Sequence, residues 1–84
     1  MALQLPRLIR LPFDYTISVQ QCSAKEMIAL GLEGADGGWI VEAKAIVIRK
    51  ALPLPYKRYL IGHELAHALN DWIHELTLDG TMKS

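Results

Sequence analysis

Tyr56-Lys-Arg-Tyr59-Leu-Ile-Gly62-His63-Glu64-Leu-Ala-His67-Ala-Leu-Asn70-Asp-Trp-Ile-His74-Glu75-Leu76 carries no proline and a single glycine, Gly62. Pro53 and Pro55 lie just upstream, ending extended structure and tolerated where a helix begins, because the first-turn amides need no intrahelical acceptor. The stretch therefore predicts one long helix from near Pro55 to about Leu76. At about 100° per residue, with His63 set at zero, His67 falls near 40°, Tyr56 near 20° and Tyr59 near −40°. Leu54, Ile61, Leu65, Ala68, Leu69, Trp72 and Leu76 fall within about 60° of the opposite direction, which is the pattern of a helix buried along one stripe. The histidines face away from that stripe.

His63-Glu64-Leu65-Ala66-His67 places two imidazoles one helical turn apart, separated by roughly 6 Å along the axis. Both rings can then aim a nitrogen at a single Zn2+ at about 2.0–2.1 Å. Glu64, about 100° around the helix from His63, is poorly placed to be a ligand but able to reach a metal-bound water. Such a water has its pKa lowered toward ~7. A carboxylate beside it can take a proton as the water attacks a carbonyl, then deliver that proton to a leaving amine. An exposed amphipathic helix with two incidental histidines would show the same string, and so would a zinc site that binds without catalysis.

Upstream of the helix, Trp39-Ile-Val41 and Ala45-Ile-Val-Ile48 are β-rich runs separated by three residues, the spacing of a hairpin. Tyr15–Gln21 alternates, with Tyr15, Ile17 and Val19 on one face, and reads as a half-buried strand. Ser23-Ala-Lys-Glu26 has the form of a capping box opening a short helix through Leu30, which Gly31 stops. Gly34–Gly38, with three glycines in five residues, reads as a loop. Leu3–Leu11 reads as a terminal strand or packing arm, or as a segment that docks on a partner chain. The expected architecture is α+β: residues 1–84 as one domain, with a small antiparallel sheet, a short N-terminal helix and a long helix carrying the histidines.

Composition narrows the function. The chain has 84 residues, 51% hydrophobic and 21% charged, with nine basic and nine acidic side chains and no net charge. That balance argues against a nucleic-acid partner, which calls for clustered excess Lys and Arg. No uncharged stretch approaches the ~18 apolar residues of a membrane span, and the opening residues lack the order of a secretory signal. Cys22 is the single cysteine, so neither an internal disulfide nor a thiolate cluster can form. A cytoplasmic setting is expected.

Ile61-Gly-His63-Glu64-Leu-Ala-His67-Ala-Leu69 resembles the active-site helix of the zincin metallopeptidases, and among them the small intracellular and phage-associated ImmA/IrrE type. The likeness extends over roughly residues 45–72: Ala45–Ile48 resembles the strand that precedes the helix in that family, and Arg58 its helix start. The resemblance implies zinc held by His63 and His67, Glu64 as general base, and hydrolysis of a protein or peptide substrate. It also implies that the Trp39–Ile48 hairpin receives substrate backbone by strand addition. A non-catalytic zinc-binding regulatory or interaction module of the same shape is the alternative.

A catalytic zinc normally has three protein ligands and one open position. His74 is the leading third candidate. It shares the histidine face, yet on a straight helix it sits ~10 Å beyond His67, so a break at Asn70 would have to swing it back. Glu75 or Asp79 would serve if the tail folds back past Gly80. Otherwise an upstream acid such as Asp36, a second copy of the chain or a larger partner would complete the site. Asp71 is the remaining acid after His67.

Overall fold

The computed structural model describes residues 5–78. Four strands and two helices follow one another as β1 (Leu8–Leu11), β2 (Tyr15–Cys22), α1 (Ala24–Ala29), β3 (Gly37–Ile40), β4 (Ala45–Arg49) and α2 (Leu54–Leu78). The sheet order is β1-β2-β4-β3, and α2 lies across one face of it. The α+β expectation holds, with the terminal strand β1 present.

One feature of the sheet departs from expectation. It is mixed rather than antiparallel: β1–β2 and β3–β4 are antiparallel, but β2 and β4 run parallel, with Ser18 opposite Ala45 and Gln21 opposite Ile48. The chain leaves β2, crosses through α1 and returns along the far edge as β3. The β3–β4 hairpin then sets β4 in the same direction as β2. Ala45, Ile46, Val47 and Ile48 are all buried, as expected of a central strand covered on both faces, where apolar residues run continuously instead of alternating.

Local signals are realised closely. Ser23 Oγ accepts from the Glu26 amide at 3.2 Å while Glu26 Oε1 accepts from the Ser23 amide at 2.8 Å, completing the capping box. At the other end of α1, Gly31 takes φ +78°. Its amide donates to the Ile28 carbonyl and the Leu32 amide to the Met27 carbonyl, a Schellman stop in which Leu32 folds onto Met27.

The glycine loop is shorter than expected, because Gly37 and Gly38 belong to β3. Leu32 explains why glycine suits a strand here: a Cβ on Gly38 would lie 2.9 Å from Leu32 Cδ1. Close approach of a neighbouring group is one of the few reasons for glycine inside a strand.

Two cores sandwich the sheet. Tyr15, Ile17, Val19, Ile46 and Ile48 pack against Leu60, Ile61 and Ala68 of α2. Cys22, Met27 and Val47, with Leu32 and Ile40, form the smaller cluster under α1. The helix α2 is rotated from the expected orientation. Leu60 and Glu64 join Ile61, Ala68 and Leu76 as its buried residues, whereas Leu54 is exposed and Leu65 and Trp72 are only partly covered. The reason lies in the sheet: α2 rests mainly on β3 and β4 at one side, and this turns the buried row toward Glu64. Among the described residues, no helix is long and apolar enough to cross a membrane.

Candidate metal centre

The histidine face of α2 forms a ladder of rings. Tyr56 stacks on Tyr59 at 6.1 Å between centroids, and Tyr59 on His63 at 6.2 Å. His63 meets His67 edge to face at 5.3 Å. Both histidines are exposed. Two imidazoles bound to one tetrahedral zinc at ~2.0–2.1 Å place their ring centres about 5 Å apart. The observed spacing is that of two such rings, and imidazole is a donor type that zinc takes.

Glu64 differs in its surroundings. It is 8% exposed and the one buried charged side chain among the described residues. It lies one turn from Leu60 and one turn from Ala68, both buried. Its carboxyl has no hydrogen bond and no ion pair among the described residues. The stem is covered, but the carboxyl oxygens are not sealed off and reach the surface. The motif thus sets an unpartnered acid beside two outward-facing imidazoles.

The remaining candidates are not brought to the pair. Helix α2 continues unbroken through Asn70, so the swing required of His74 does not occur and it stays ~10 Å from His67 along the axis. The apolar continuation through Trp72 and Leu76 holds the helix on the sheet and keeps it straight. His74 and Glu75 instead line a separate cavity with Tyr15 and Lys44. Asp71, in the same cavity, accepts from Trp39 Nε1. Asp79 and Gly80 lie outside the described residues. Among those described, no group of three His, Cys, Asp or Glu side chains is disposed to hold a metal ion.

Asp36 is held at the start of α2. One carboxylate oxygen accepts from the Tyr56 hydroxyl at 2.9 Å and the other pairs with Arg49 at 2.7 Å. The bond to Asp36, with burial adding, raises the Tyr56 pKa. This network ties the loop before β3 to the helix and spaces Tyr56 along the ladder. Lys57 donates to Gln21 at 2.7 Å, so two of the basic residues near the helix start serve as fasteners.

Sequence reasoning did not foresee that Tyr15 and Lys44 line one cavity with Asp71, because only the fold brings them there. The chain was compared with known protein families, with curated proteins and with solved structures, and none of the three comparisons gave a match.

Proposed function

We propose that this domain is a zinc-dependent peptidase of the zincin type, with His63 and His67 holding the metal and Glu64 as general base. The observation that carries the proposal is an unpartnered Glu64, mostly covered but with its carboxyl at the surface, beside two exposed imidazoles at ligand spacing. A bound zinc would supply a water acidified toward ~7. Glu64, one helical turn from the buried Leu60 and Ala68, accepts a proton at its carboxylate and returns it to the leaving amine. Tyr59, stacked on His63, limits the freedom of that ring. The strand β3 has β4 on one side only, so its other edge can take an extended protein or peptide substrate as an added strand. The free, buried Cys22 accords with a cytoplasmic setting.

The described residues bring two protein donors together rather than three. This favours, as a second reading, a zinc-binding interaction module without turnover. In the catalytic reading, the third donor comes from the tail beyond residue 78, from a second copy, or from a larger partner.

Metal analysis of the purified chain separates these readings. One zinc per chain is expected, lost in His63→Ala and His67→Ala. Glu64→Gln should retain the metal and abolish cleavage of a quenched-fluorescence peptide library. Undiminished cleavage by Glu64→Gln removes Glu64 from the mechanism, and zinc retention without any cleavage supports the module. Failure to bind zinc overturns both.

A further inference from the structure

The cavity at the far end of α2 is not used by the zinc reading. It encloses about 200 Å3 against the β3–β4 turn, and its polar lining comes from Tyr15, Lys44, Asp71, His74 and Glu75. Tyr15 is 6% exposed and anchored in the main core. Its hydroxyl has no hydrogen-bond partner among the described residues. The ring is buried while its oxygen is not sealed in the core, and the residue walls an open cavity.

The electrostatics of the cavity favour a cation. Lys44 Nζ stands 4.4 Å from the centre of the Tyr15 ring, within the range of a cation–π contact. Asp71 and Glu75 are one helical turn apart and share a face. Their negative charges act on the Tyr15 hydroxyl, raising its pKa after burial has done so. Asp71 is positioned by its bond from Trp39. Lys44 sits on the hairpin turn at φ +49°, so the resident cation is carried on a turn rather than on a strand. Val41 and Leu78 complete the lining as apolar walls.

We propose that this cavity binds a guanidinium or primary ammonium group on a peptide side chain, seated over the Tyr15 ring and facing Asp71 and Glu75. The alkyl stem of that side chain lies against Val41 and Leu78. In the unliganded chain, Lys44 occupies the seat, and the incoming cation displaces it. The site does not depend on zinc, since His74 is about two helical turns beyond His67. If the peptidase reading holds, the cavity selects substrates with a basic residue.

The test titrates N-acetyl-arginine amide into the metal-free protein in EDTA at low salt, following ring signals of Tyr15 and His74 by NMR. N-acetyl-norleucine amide and N-acetyl-glutamate amide serve as controls. Saturable shifts are expected from the arginine compound only, weakened at least fivefold in Glu75→Gln and unchanged in His63→Ala. Lys44→Met should tighten binding several-fold by vacating the seat, a gain that no misfolded variant can mimic. Equal saturation by norleucine, no saturation by arginine, or unaltered affinity in Glu75→Gln or Lys44→Met would overturn the proposal. Arginine binding by a protein that takes up no zinc would sink the peptidase reading alone, and zinc uptake without arginine binding would sink this one alone.

Discussion

Replacing Glu64 with leucine should make the metal-free protein more stable while ending any hydrolysis. The side chain is 8% exposed, one turn from Leu60 at 7% and one turn from Ala68 at 0%, and it has no partner in that row. The carboxyl end of Glu64 reaches the surface, so the gain comes from the apolar area a leucine would bury in that row, a fraction of the ~1.5–3 kcal/mol of a whole leucine. A net gain of about 1 kcal/mol follows. For a domain of this size each kcal/mol moves the midpoint by roughly 4–8 °C, so Tm should rise by that amount. Thermal unfolding followed by circular dichroism in EDTA at pH 7 measures it. A melting temperature at or below that of the parent chain would mean that the carboxyl is needed structurally. The functional account of its burial would then be withdrawn. Sites kept for chemistry at the expense of stability behave in the predicted way.

Further predictions concern α1 and the cluster beneath it. Ser23→Ala removes the hydroxyl half of the capping box and leaves the amide half in place, and should cost about 1 kcal/mol in urea unfolding. Hydrogen bonds from the Ser23 amide and hydroxyl hold the Glu26 carboxyl below its ordinary value of 4.5. The folded-state pKa is thus the lower one, so this contribution is present above the ordinary value and fades as pH falls through the lowered one. Urea midpoints taken across that acid range should fall less steeply in Ser23→Ala than in the parent, and parallel curves would refute the linkage. Cys22, 5% exposed, has its thiol pushed up by burial and then by the Glu26 charge. Alkylation by iodoacetamide at neutral pH should therefore be slow in the native state and rapid in urea, and comparable rates would contradict the packing described.

Much of the local structure was legible because its causes are local. The Ser23–Glu26 capping box, the left-handed stop at Gly31, the alternation of Tyr15, Ile17 and Val19, and the helical run after Pro55 each depend on residues within a few positions of one another. The i, i+4 placement of His63 and His67 belongs to the same class, since any α-helix brings them together. The glycines were misread for the opposite reason. Gly37 and Gly38 look like loop residues until Leu32, brought back by the turn after α1, is seen lying where a side chain at Gly38 would go.

The amino-acid order alone determined that two imidazoles would stand a turn apart on a helix with an apolar back, and that an acid would follow the first of them. Tertiary packing decided how that helix was turned. Lying chiefly on β3 and β4, it sank Glu64 into the buried row and left His63 and His67 outside. The same contact kept α2 straight past Asn70 and handed His74 to Tyr15 and Lys44 instead of to the other histidines. Spacing along a helix follows from its own hydrogen bonds, whereas its rotation and its neighbours are settled only by the surface it packs on.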